Sequence, residues 1–312
     1  MIDILGKRYI FFALSALIIL PGLIILAING LPLAIDFRGG TILELQLPTE
    51  NLPPTEEVVQ IYNELGYREV QVQTAMGPTG LQDILVIRSP FMDEEARNTV
   101  VRTMEERFGI DQILVNRFES VGPVIAAQVT NRAALAVGIA ALAVVLYITY
   151  AFRGIPHAFR YGVCAIIAML HDILVVFSIT GIGSILWGWQ MDSLFLTALL
   201  TVIGFSTQDK IVVFDRIREN SAFLRKLPFE KLANHSIVQT LQRSINTQLM
   251  TVEFMLLALA LFGGVTLREF AVILLVGLFS GTYSSIFVAA PILVVWETKE
   301  WRTWFRKQNA TA

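Results

Sequence analysis

Charge is scarce in this chain: Asp, Glu, Lys and Arg make up 16% of its 312 residues, against 54% hydrophobic residues. With a mean hydropathy of +0.62, that balance excludes an ordinary soluble domain and places the chain in a bilayer. A formal net charge of −2, with no basic stripe along any predicted element, excludes nucleic acid as the main partner. Cysteine is nearly absent. The single Cys164 sits in an apolar run and supplies neither a disulfide framework nor a thiol ligand pair. Also missing are GxxxxGK[ST], HExxH, GxSxG and CxxC, so the chain carries no sequence grounds for an ATPase, zinc protease, hydrolase or redox protein. No cofactor or metal is expected, and any work the protein does is not fuelled by an ATP site on this chain.

Long apolar runs, by contrast, are plentiful. Six lie at roughly 9–28, 132–152, 161–182, 193–214, 245–263 and 270–292, each close to the ~20 residues that a hydrocarbon core demands. Six spans place both termini on one side. The first follows Lys7 and Arg8 and reads as an uncleaved anchor with a kink at Pro21, because its run is long for a signal peptide and no A-x-A site follows. Arg153 and Arg160, then Arg216, Arg218, Arg225, Lys226 and Lys231, then Lys299, Arg302, Arg306 and Lys307 mark three basic segments that face the cytoplasm. In the loops at 183–192 and 264–269 Arg268 is the lone basic residue, while Trp187, Trp189, Trp296, Trp301 and Trp304 lie near span ends. A cytoplasmic tail over 293–312 follows the last span.

Residues 31–131 read as a folded domain on the far side. Strand patterns at 41–47, 69–74, 83–88 and 112–118 alternate with helical ones at 55–65 and 93–108. Thr55 and Asp93 are expected N-caps, and Gly66 and Gly109 fall where left-handed C-terminal caps belong. The order βαββαβ predicts an antiparallel sheet with two helices on one face, an α+β, ferredoxin-like domain. It shows no metal spacing and no catalytic constellation.

Function is expected where polarity intrudes on the spans. Asp209 lies within LFLTALLTVIGFSTQDKIVVF, and an acid at a span centre costs about 2.5 to 3.5 kcal/mol on insertion scales. Span three carries His171 and Asp172. Helix rise puts Asp172 about 18 Å from Arg160 and Asp209 about 10 Å from Arg216, both below the interface. Arg243, at the opening of span five, is the nearest candidate cation on another helix. A carboxyl that alternates between apolar surroundings and a guanidinium exchanges its proton, which is what a relay requires. The plainer reading, acids that only hydrogen-bond neighbouring helices, weakens with such groups on three helices. Lys210 points about 100° away from Asp209 and is expected either to snorkel to headgroups or to neutralise it. Thr197, Thr201, Gly204 and Gln208 fall within about 40° of one another as a small and polar stripe facing other helices, with Asp209 at its edge. Glu253 shares a face with Asn246 and reads as a packing residue. Gly277, Gly281, Ser284, Ser285 and Ala289 read as scaffold, and His157 and His235 as solvated.

Several stretches together resemble one family, the SecD/SecF protein-export membrane proteins of the RND superfamily, on the SecF side. They are ALLTVIGFSTQDKIVVFDRIREN at 198–220, IDFRGGT at 35–41, VGPVIAAQVTNRA at 121–133, the pair at His171 and Asp172, NHSIVQTLQRSINT at 234–247 and GTYSSIFVAAP at 281–291. The resemblance covers essentially the whole chain. It implies a non-enzymatic six-span half of an RND-type transporter that pairs with a SecD-like six-span subunit. That assembly would act beside the SecYEG channel and SecA on the translocating preprotein, driven by the proton motive force in a bacterial inner membrane or a thylakoid. It further implies Asp209 as the proton-binding acid and Arg243 as its partner, with Asp172 in the relay and His171, Gln208 and Thr201 as supporting polar groups. Gln208 and Lys210 depart from the asparagine and small or hydroxylated residue that flank the family's acid, and a cation there would hold Asp209 ionised. Half of a proton-driven RND-type small-molecule exporter is the alternative, and an intramembrane aspartyl protease using Asp172 and Asp209 would lack its GxGD context.

Overall fold

The structure, a computed structural model, describes residues 3–47, 52–75, 84–110, 113–153, 158–224, 226–248, 254–262 and 265–300. In chain order the first elements are α1 (Arg8–Asn29), α2 (Ile35–Arg38), β1 (Gly40–Gln46), α3 (Thr55–Glu64), β2 (Gln71–Ala75), β3 (Ile84–Ser89), α4 (Glu94–Phe108) and β4 (Leu114–Val121). Then come α5 (Pro123–Ala151), α6 (Ala158–Leu186), α7 (Ser193–Phe223), α8 (Phe229–Gln248), α9 (Phe254–Phe262), α10 (Val265–Ser284) and α11 (Ala290–Thr298), with a π-helical turn at Ser285–Ala289 before the last. Contacts divide the chain into a helical unit, Met1–Pro32 with Leu135–Ala312, and a second unit, Leu33–Ala134.

The second unit owes its sheet to strict alternation. Leu43 and Leu45 on β1 and Leu85 and Ile87 on β3 are buried, and every second residue between them is half-buried. The four strands pair antiparallel in the order β2-β3-β1-β4. Val58, Ile61 and Tyr62 of α3 and Val100 and Met104 of α4 complete an apolar core. Asp93 caps α4, its Oδ1 accepting from Ala96 N at 2.9 Å, and Gly109 ends that helix in the left-handed region. At α3 the cap position falls on Pro54, and Thr55 is already helical. Proline's fixed φ suits the helix entrance, which leaves the threonine hydroxyl without a capping role. Gly39 and Gly40 have φ of +81° and +129°, and a Cβ on Gly40 would press on Ser89 O at 2.8 Å. Only glycine meets both conditions.

Among the described residues five segments are long and apolar enough to cross a membrane: Leu5–Asn29, Pro123–Ala151, Phe159–Leu186, Ser193–Phe223 and Leu267–Thr298. The run at 245–263 instead comprises the end of α8, residues 249–253, which lie outside the described set with Glu253 among them, and the nine-residue α9. Also outside the described residues are Arg225, His157, Trp301, Trp304, Arg302, Arg306 and Lys307. Pro21 sits inside a continuous α1. Next to it, Ser178 Oγ of α6 donates to Ile18 O at 2.7 Å, and a Cβ on Gly22 would collide with the Ser178 backbone. Small residues thus set the α1–α6 approach. Arg8 binds Glu230 at 2.6 Å and Glu300 at 2.8 Å, tying the start of α1 to α8 and to the residues after α11. Pro291 lacks an N–H for the carbonyl one turn back, and the helix widens into the π turn just before it.

Candidate functional site

Three helices converge on one carboxylate. α6 carries His171 and Asp172, α7 carries Ser206, Asp209 and Lys210, and α10 carries Ser280 and Ser284. Ser206 and Lys210 stand one turn apart on α7, as do Ser280 and Ser284 on α10, so each pair shares a face. What brings those faces together is the absence of side chain between the serines. A Cβ on Gly281 would lie 3.2 Å from the Ser206 Cα, and one on Gly277 would overlap Val202. The backbones approach closely enough for short hydroxyl side chains to reach across.

Asp172 is 1% exposed and Lys210 is 0% exposed. Asp172 Oδ2 accepts from Ser206 Oγ at 2.6 Å, from Lys210 Nζ at 2.7 Å and from Ser284 Oγ at 2.7 Å. Its Oδ1 accepts from Ser280 Oγ at 2.7 Å, with His171 Nδ1 at 3.1 Å. Since an ionised carboxylate only accepts, Nδ1 carries the imidazole proton in that contact. Lys210 Nζ donates further to Ser206 O at 3.2 Å and to Ser206 Oγ. The His171 ring lies against Tyr283, 6.1 Å between centroids and 23° between planes, and Tyr283 donates its hydroxyl to Phe11 O at 2.8 Å. An ion pair sealed from water loses the hydration of both charges, and it is tolerated where further donors fill the carboxylate's remaining lone pairs. Three serines do so here.

Asp172 and His171 therefore meet, and they meet Lys210. Asp209 lies one position earlier on α7, buried at 7% exposure, whereas Gln208 is exposed and Thr201 half-buried. Thr201 Oγ1 donates to its own helix at Thr197 O, 2.8 Å away. Arg243 is on the exposed side of α8, and no ion pair among the described residues joins it to Asp209. One expectation is corrected. Lys210 neither snorkels nor spends its charge on Asp209, because its face of α7 turns into the helices and its ammonium finds Asp172 there. The stripe of Thr197, Gly204 and Gln208 faces away from this chain's own helices, with Thr201 at its margin. Sequence reasoning does not mark Ser206, Ser280 and Ser284 as ligands of the acid. Their signal was the one-turn spacing to Lys210 and to each other, beside a GxxxG. Among the described residues, no group of three or more His, Cys, Asp and Glu side chains could hold a metal ion.

The family model described as protein export membrane protein SecD/SecF, C-terminal, matches residues 100–299, and the SecD/SecF GG motif matches residues 24–47, the stretch holding Gly39 and Gly40. The chain is 65% identical over 307 residues to the protein translocase subunit SecF of Anaerolinea thermophila, covering 98% of each chain. Against the protein translocase subunit SecF of Thermobaculum terrenum the identity is 46% over 321 residues, covering 100% of this chain and 99% of the other. It also superposes on a crystal structure of SecDF, a translocon-associated membrane protein, from Thermus thermophilus with a TM-score of 0.79 and 31% identity, covering 95% of this chain and 39% of that one. The chain belongs to the SecD/SecF family of protein export membrane proteins.

Proposed function

We propose that the chain is a SecF-like, non-enzymatic subunit of the Sec protein translocase. With a SecD-like six-span partner, it uses the proton motive force to assist late steps of preprotein translocation. The observation that carries this reading is the full-length likeness, 65% identical over 98% of both chains, to a protein translocase subunit SecF. Because the chain spans 39% of the Thermus thermophilus SecDF structure, a second half is the natural complement. The outward stripe on α7 fits that complement, since Gln208 and Thr197 in a span are better met by another helix than by lipid. A preprotein emerging from SecYEG after SecA has pushed it is the substrate this assembly would hold or pull.

In this reading the segment at 245–263 completes a six-helix membrane bundle with both termini in the cytoplasm of a bacterium, below its inner membrane. The sheet order β2-β3-β1-β4 with two interposed helices supports a ferredoxin-like exported domain. Asp209 is the proton-binding acid, and Arg243 is the cation that approaches it as the helices move. Asp172, His171, Gln208 and Thr201 form its polar surroundings. Lys210, the cation next in sequence, is paired with Asp172. The test is Asp209→Asn in membranes carrying the partner subunit. Proton-dependent export is expected to be lost while insertion and pairing with the partner persist, and export equal to wild type sinks the assignment.

A further inference from the structure

The surroundings of Lys210 Nζ are made of oxygen. Asp172 Oδ2 lies 2.7 Å from the ammonium and Ser206 O 3.2 Å, Ser206 Oγ is in contact, and the Ser280 and Ser284 hydroxyls close the carboxylate at 2.7 Å each. The ammonium itself meets a carboxylate oxygen of α6 and a hydroxyl and a peptide carbonyl oxygen of α7, the kinds of donor that hard cations take, while the α10 hydroxyls hold the carboxylate. One formal negative charge matches a monovalent ion. With Asp172 1% and Lys210 0% exposed, the cation already present leaves no solvent path to the carboxylate.

We infer that the Asp172–Ser206–Ser280–Ser284 cluster is a monovalent-cation site of the Na+ or Li+ class that Lys210 fills from within as a tethered cation. The wild-type protein is therefore closed to solute cations there. Removing the ammonium leaves a buried carboxylate with one uncompensated charge, and two species can compensate it: an alkali cation or a proton. The clustering of hydroxyls around both carboxylate oxygens favours the cation. A protonated carboxyl would turn one acceptor oxygen into a donor, against serines that already donate to it. Read together with the proposed function, and resting on it for this consequence alone, the filled cage leaves the coupling ion to Asp209.

Thermal unfolding of the purified full chain in detergent tests this, with Na+, Li+ or choline as the only salt cation at constant ionic strength. Wild type is expected to unfold at the same temperature in all three. Lys210→Ala is expected to unfold lower in choline and to regain on the order of 5 °C in Na+ or Li+. The double variant Lys210→Ala/Asp172→Asn should lose that gain. Indifference of Lys210→Ala to Na+ overturns the inference, as does recovery on acidification alone, which would mean that Asp172 takes a proton. If Lys210→Ala does not accumulate, retention of radiolabelled sodium by wild type and by Asp172→Asn decides. Retention that the substitution removes overturns the inference, and its absence from both supports it. None of these readouts needs export, so their failure leaves the translocase reading standing, and an active Asp209→Asn leaves the cage standing.

Discussion

The two units bury opposite things. In the unit Leu33–Ala134 the core is built almost entirely of aliphatic and aromatic side chains, and ion pairs such as Arg102–Glu106, with side chains 80% and 71% exposed, lie at the surface. In the helical unit the Asp172–Lys210 pair is sealed inside. Outside it, Leu135, Ile139, Leu142 and Leu146 form an exposed stripe along α5, at the spacing that would face the core of a soluble protein. The same chemistry is sorted by two solvents. Water takes charge outward, whereas hydrocarbon offers no hydrogen bonds and drives each polar group toward an internal partner. Polarity thus predicts exposure in one unit and its reverse in the other.

The contrast is broken most severely by removing half of the buried pair. Asp172→Leu or Lys210→Met alone is expected to destabilise the helical unit by about 3–5 kcal/mol, because each leaves an uncompensated buried group. The double variant Asp172→Asn/Lys210→Met, neutral and close in volume, should recover much of that loss. Arg102→Ala in the other unit should cost no more than about 0.5 kcal/mol. Unfolding in detergent with a probe in each unit measures both. Single variants in the helical unit that cost no more than Arg102→Ala would show that the pair is held no more tightly than a surface one.

Glycine sharpens the comparison at the next magnitude. Gly22 is small so that α6 can approach, and Gly40 is bare so that the backbone can hold a φ of +129° against Ser89 O. Alanine at either position is expected to cost about 1–3 kcal/mol, by overpacking at Gly22 and by backbone strain at Gly40. Amide hydrogen exchange on the full chain separates them. Gly40→Ala should speed exchange in β1 and β3 and leave α1 and α6 unchanged, and Gly22→Ala should do the reverse. Equal loosening of both units by either variant would contradict the division of the chain.

Much of this was readable from spacing. Alternation locates β1 through β4 to within a few residues, Asp93 is legible as the cap of α4, and the apolar runs locate five of the long helical segments. What spacing cannot supply is the partner across a helix interface. The turn of about 100° between Asp209 and Lys210 showed that they face apart, but not that Asp172 waited on the Lys210 side. Ser206, Ser280 and Ser284 carry the same signal as any small packing residue, so their shared aim at one carboxylate became visible only with α6, α7 and α10 in place. Thr55 failed as a cap for a local reason, the proline before it. The small and polar stripe on α7 is legible in the sequence, yet a wheel projection has no knowledge of which side is occupied.

The smallest effect belongs to Tyr62, whose hydroxyl lies inside a largely apolar core. Its ring is fully buried and its hydroxyl has no hydrogen-bond partner among the described residues. Burial, with a minor contribution from Tyr67 beside it, pushes the phenol well above the ordinary tyrosine range. A raised folded-state value means that the stability Tyr62 contributes is fully present below the unfolded-state value of about 10 and is lost as pH climbs above it. There the unfolded chain releases a proton that the folded unit retains, at about 1.4 kcal/mol per pH unit. Tyr62→Phe should therefore stabilise the unit by about 1 kcal/mol at neutral pH, by deleting an unsatisfied polar group, and by more in alkali. In a phenolate absorbance titration of the full chain, the difference between wild type and Tyr62→Phe should stay flat through the ordinary tyrosine range and rise only with unfolding. A rise near the ordinary value would place water at that hydroxyl and make the core of this unit less apolar than its side chains imply.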